Sequence, residues 1–111
     1  MENISPEVVQ EMQVLEQNLQ NILMQKQAFS LELNEVINAM NEASKSEGDI
    51  YKIVGQVMLK SNKDSIVKEL EEKKKIAEIR IVSMEKQEAL LESKAKELRE
   101  EGRKQLLDKK E

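Results

Sequence analysis

From Val8 to Ala43 the chain places a seam residue at alternating steps of four and three, through Val8, Met12, Leu15, Leu19, Ile22, Lys26, Phe29, Leu33, Val36, Met40 and Ala43. Ten of these eleven are apolar, Lys26 being the exception. A period held at 3.5 residues without a slip is a coiled-coil seam rather than the wider stripe of a globular helix. A second, less clean run passes through Val67, Leu70, Lys74, Ala77, Ile81, Met84, Glu88, Leu91, Ala95 and Leu98. Between the two lies one compact apolar segment, Ile50 to Lys60. The order predicts a mainly α chain: a helix over about 6–44, a β-hairpin over about 50–60 and a helix over about 62–106, in a single domain spanning 1–111.

Two seams joined by a short insert should fold back on each other, and charge favours the same outcome. Residues 1–43 carry seven acids and one base, whereas residues 44–111 carry fifteen acids and seventeen bases. The arms therefore attract, which favours an intramolecular antiparallel pair over pairing of like with like. Aligning the seams gives a register in which facing residue numbers sum to 110, so that Met12 faces Leu98, Leu19 faces Leu91, Phe29 faces Ile81 and Met40 faces Leu70. Lys26 then lies one layer from Glu88. That pair either pins the register or consists of two side chains snorkelling to solvent.

With one Phe, one Tyr, no Trp and charge on 36% of its residues, the chain cannot build a thick core. It has no Cys and no His. Thiol chemistry, disulfides, imidazole metal sites and imidazole acid–base catalysis are thereby excluded. No Gly-rich phosphate loop occurs, and no carboxylate cluster falls where a pocket could close, so neither an enzyme nor a cofactor is expected. The basic run Lys73-Lys74-Lys75 is flanked by Glu69, Glu71, Glu72 and Glu78 at helical spacing, which makes it a solvated face. Nucleic acid is therefore not an expected partner, nor is a membrane, since nowhere do eighteen apolar residues run together. A start without a basic stretch or an apolar signal core points to a cytoplasmic protein.

Local signals refine the elements. Ser5 is placed to cap the first helix, with Pro6 at its first position and Glu7 near the positive end of its dipole. Ile4 and Val9 stand where a hydrophobic staple would close. At ~1.5 Å per residue this helix would be a rod of roughly 58 Å. The run Ser44 to Asp49 is expected to end it with turn formers and a Gly48 able to take positive φ, and Ser61 or Asn62 to cap the second helix, in which Gly102 is an expected weak point. Gly55-Gln56 fits a two-residue type II′ turn between strands.

Both faces of that hairpin are apolar, Tyr51 and Ile53 on one and Ile50 and Val54 on the other, and a lone hairpin is marginal in water. Ile50, Tyr51, Ile53, Val54, Gly55, Val57 and Leu59 are therefore the candidate assembly residues, expected to pair with strands of other subunits. Leu31, Ile37, Ile76, Ile79 and Val82 form a further apolar patch suited to neighbouring subunits. At the other end of the arms, Ile4, Val8, Val9 and Met12 meet Leu98, Leu106 and Leu107. These exceed what a two-helix seam buries, and either close its end or contact partners.

The segment Ile50-Tyr51-Lys52-Ile53-Val54-Gly55-Gln56-Val57-Met58-Leu59-Lys60 resembles that of prefoldin beta-type subunits: an aromatic, a short apolar run, Gly, one residue, and an apolar run ending in Lys. Gln25-Lys26-Gln27, Leu33-Asn34-Glu35 and Lys68-Glu69-Leu70 are similar to the same type. The resemblance implies an ATP-independent chaperone of two alpha-type and four beta-type subunits, whose hairpins form an intersubunit β-barrel. It further implies that arm tips grip unfolded client proteins and pass them to a group II chaperonin. There is room here for one hairpin, as in the beta type, and the short polar tail looks archaeal. The alternative is a structural coiled-coil adaptor for one defined partner.

Overall fold

The computed structural model describes residues 4–109, with side chains through 107. Four elements follow in order: α1 (Pro6–Lys45), β1 (Ile50–Val54), β2 (Val57–Ser61) and α2 (Lys63–Lys109). By internal contacts the chain divides into a terminal unit, residues 1–26 with 83–111, and a hairpin unit, residues 27–82. The expected helix, hairpin and helix are all present. α2 continues past Gly102, which the sequence marked as a weak point, to Lys109.

Within the terminal unit the helix segments run antiparallel, and contacts between them fit the register that sums to 110. Ser5 N–H donates to Gln105 Oε1 at 2.8 Å, and Ile4 packs over Gly102. Val8, Leu15, Ile22 and Ala95 are buried, while Met12, Leu19, Met84, Leu91 and Leu98 are half-buried. The core is thus one side chain thick. Every fourth-then-third position is drawn in, and alternate ones more deeply, because two helices alone shield only the middle of a seam. Gly102 and Gln105 extend the same period beyond Leu98, and Gly102 is buried. Ile4 packs over it at van der Waals distance from where a side chain would begin, a contact that partly offsets the poor helix propensity of glycine.

Ser5 caps α1 as expected: its Oγ accepts from Val8 N–H at 3.3 Å and its carbonyl accepts from Val9 N–H at 3.2 Å. Ile4 is committed across the seam to α2, and Val9 is left 42% exposed.

In the hairpin unit Val36, Ala43 and Ala77 are buried, Ala77 most of all at 1%. By the register Ala77 lies opposite Leu33, a small residue against a large one, which lets facing layers interdigitate. Arg80 stacks its guanidinium 5.5 Å from the centre of the Phe29 ring. The end of α1 is closed by a residue of α2: Lys63 Nζ donates to the Ser44 carbonyl at 2.7 Å. A cation there also opposes the negative end of the α1 dipole. Gly48 does not take positive φ; among the described residues only Gly55 does, at 61°. Asn62, not Ser61, caps α2, its Oδ1 accepting from Ser65 N–H at 2.8 Å. Ser61 is claimed by β2, where it pairs with Ile50.

Candidate assembly and client surfaces

The hairpin pairs Val54 with Val57, Ile53 with Met58, Lys52 with Leu59 and Tyr51 with Lys60. Gly55 has positive φ and Gln56 does not, which is the type II′ pattern the sequence predicts. Side chains alternate between faces. Tyr51, Ile53, Met58 and Lys60 therefore share one face, and Ile50, Lys52, Val54, Val57, Leu59 and Ser61 the other.

Six apolar side chains of this hairpin, Tyr51, Ile53, Val54, Val57, Met58 and Leu59, are between 50 and 69% exposed. Only Ile50 of the expected assembly residues with side chains is half-buried. Both outer edges of the two-stranded sheet carry unpaired backbone groups. Apolar faces and open edges together make a surface that a partner strand would satisfy. Met58, paired with Ile53 on the same face and similarly exposed, is not among the expected assembly residues, although it lies in the same apolar segment.

One polar link ties the hairpin to α2. Lys52 Nζ lies 2.8 and 3.0 Å from the two carboxylate oxygens of Glu69, with Lys73 Nζ 3.9 Å from the nearer one. The hydrogen bond from Lys52 holds the Glu69 carboxyl below its ordinary value, its charge and that of Lys73 adding to the effect against partial desolvation. Lys60 pairs more loosely with Asp49 at 3.6 Å. Helical spacing announces the Lys73 contact, but no periodicity announces those of Lys52 or Lys60.

The expected client residues fall into two groups. Val8 is buried, and Ile4, Met12, Leu98 and Leu106 are half-buried; Val9 and Leu107 are exposed, the latter at 55%. The terminal unit also exposes Val14, Leu23, Met24 and Leu90, which lie off the heptad and were not singled out. Of the five residues of the outer patch, Leu31, Ile76, Ile79 and Val82 are exposed and Ile37 is half-buried. Lys26 Nζ and Glu88 Oε1 are 3.3 Å apart inside the terminal unit, with side chains 31% and 20% exposed. The seam charges do meet.

Among the described residues no group of His, Cys, Asp or Glu could hold a metal ion, and no helix is long and apolar enough to cross a membrane. What remains among the described residues is two long helices joined by a hairpin whose apolar side chains are exposed. A family model described as prefoldin subunit matches residues 7–109. The prefoldin subunit beta of Thermococcus kodakarensis is 39% identical over 103 residues, covering 88% of each chain. That of Pyrobaculum islandicum is 39% identical over 90 residues, covering 79% of this chain and 72% of the relative. The crystal structure of the prefoldin beta subunit from Thermococcus strain KS-1 superposes with a TM-score of 0.87 at 36% identity, over 96% of this chain and 97% of that one. The chain belongs to the prefoldin beta subunit family. Membership supports a chaperone role within a hetero-oligomer of prefoldin subunits.

Proposed function

We propose that this chain is the beta-type subunit of an ATP-independent holdase, acting as a single prefoldin-like domain. Four copies would join two alpha-type subunits through hairpins closed into a shared β-barrel, in the cytoplasm. The exposed hairpin carries this reading: six exposed apolar side chains and two open edges on a twelve-residue hairpin would favour aggregation unless strands from other subunits cover them. Ile50, Tyr51, Ile53, Val54, Gly55, Val57 and Leu59 are then the assembly residues. Non-native clients would be held by the terminal unit, at Val9 and Leu107 directly and at Ile4, Val8, Met12, Leu98 and Leu106 where the end of the seam parts, before transfer to a group II chaperonin. Several copies acting together would replace a deep pocket with many weak contacts.

The test is protection of unrelated unfolded proteins against aggregation, without nucleotide, by the chain mixed with an alpha-type subunit. Deleting residues 1–9 with 103–111 should leave the number of subunits in that assembly unchanged while protection falls severely. Full protection by the truncated assembly would move the client surface elsewhere. Protection of a single protein only would favour a structural adaptor.

A further inference from the structure

In the terminal unit a groove of about 810 Å³ runs along one flank of the helix pair. Its floor is apolar, made by Val14, Leu15, Leu91 and Leu98, with Val14 54% exposed. Its rim is acidic. Glu7, Glu11, Glu97 and Glu101 line it, against Lys94 as the single cation. None of the four carboxylates is in an ion pair among the described residues.

The coiled coil does not require that excess of charge. Glu7 with Glu11, and Glu97 with Glu101, are like charges at i and i+4, an arrangement that weakens a helix. The groove along the helix pair of the hairpin unit is different: there Glu32 and Glu35 are balanced by Lys73 and Arg80. One groove is neutralised from within. The other presents an apolar floor to solvent beneath four carboxylates that Lys94, the one cation in its own lining, offsets only in part; Lys96 and Lys104 adjoin Glu97 and Glu101 on their outer side.

We propose that this groove receives a segment of non-native polypeptide in which apolar residues alternate with Lys or Arg, the apolar side chains meeting Val14 and Leu98 and the cations meeting Glu11, Glu97 and Glu101. This rests on the client-capture reading above and gives it a chemical preference. Opposite charge would speed encounter and discriminate against acidic segments, while apolar contact would hold the segment in place.

Three fluorescent peptides of one length, alternating Leu with Lys, Leu with Glu or Leu with Gln, would be titrated against the full chain by anisotropy at low salt. The Lys peptide should bind about tenfold or more tighter than the Glu peptide, with the advantage shrinking as salt is added. Combining Glu11→Gln, Glu97→Gln and Glu101→Gln should remove most of that preference and leave the Gln peptide's affinity unchanged. Val14→Ser should weaken all three peptides. The same loss of charge at Glu71→Gln, Glu72→Gln and Glu78→Gln should leave the preference intact; an equal loss there would make net charge the cause and overturn the groove. Failure of all three peptides to bind would also overturn it, as would a change in the chain's solution mass with Val14→Ser, which would make the occupant a second copy. Client protection by the wild-type assembly separates the two levels: if it is present and the triple variant binds the Lys peptide as before, the groove falls and client capture stands. If it is absent, capture itself falls.

Discussion

The terminal unit and the hairpin unit are built on one heptad rule and end in opposite relations to solvent. In the terminal unit Ile4 covers Gly102, Ser5 bonds Gln105, and Val8 is buried. In the hairpin unit the seam is closed just as well around Ala77, yet the hairpin that grows from it leaves Ile53 69% exposed. Where pattern, packing and exposure agree, the residues are accounted for by folding. Where a strongly apolar element is left uncovered, local consistency has been given up for something outside the chain, and function is to be sought there.

The largest test of that contrast places charge where the hairpin is expected to be buried by partners. Ile53→Asp with Val57→Asp puts a carboxylate on each hairpin face, at a cost on the order of several kcal/mol each once partner strands cover them. Light scattering of the chain mixed with an alpha-type subunit should then report smaller species. Circular dichroism should still report helix, because neither side chain belongs to a seam. Retention of the native mass would mean that the hairpin is not the assembly element.

Much of the fold could be read beforehand, because a seam is a repeated signal and each heptad supports the next. The expected helix ends lay within three residues of those observed, and the turn followed from Gly55. Single polar contacts carry no such redundancy. Nothing in the sequence distinguishes Lys63 as the residue that closes α1 at Ser44, or Lys52 and Glu69 as the link beneath the hairpin. Ser61 and Asn62 read alike as caps in the sequence; the pairing of Ser61 with Ile50 in the hairpin leaves the cap to Asn62. Gly102 does not interrupt α2, and the Ile4 side chain that packs on it is a contact no propensity reveals. Of the client residues, Val8, Met12 and Leu98 were already seam positions, so their burial was implied by the same period that identified the helices.

Gly102 offers the next test, and one that strengthens the terminal unit rather than breaking it. A methyl group added there would meet Ile4 at 3.5 Å, an ordinary van der Waals contact, in a helix interior without positive φ. Gly102→Ala should therefore stabilise the fold by about 1 kcal/mol through the restricted unfolded chain and better helix propensity. A higher midpoint in urea at unchanged slope would show it. A lower midpoint would mean that Ile4 cannot tolerate the contact, and that the seam ends more tightly than a buried glycine suggests.

The Lys26 and Glu88 pair tests whether polar seam contacts fix the terminal unit or merely survive in it. Both side chains keep partial access to water, so a double-mutant cycle with Leu at each position should give a coupling of roughly 0.5 kcal/mol. Coupling indistinguishable from zero would leave register to the apolar layers alone. Either single Leu variant could be more stable than wild type without bearing on the outcome, since the cycle isolates the pair.

The smallest expected effect belongs to the hairpin unit and is read through pH. The Glu69 carboxyl is held below its ordinary value, chiefly by the hydrogen bond from Lys52, so the folded state favours its ionised form. Its contribution to stability is then fully present above the unfolded carboxyl value and is lost as pH falls through the lower folded one. The unfolding midpoints of wild type and Glu69→Gln should differ by a constant amount near neutrality, and the difference should shrink on acidification until it vanishes. Lys52→Met should abolish most of that pH dependence while leaving Glu69 in place, because it removes the leading cause of the shift. A difference between wild type and Glu69→Gln that stays flat into acid would show that Glu69 is not held by Lys52 in solution. The ion pair with Lys52 would then not be what orients the hairpin on α2.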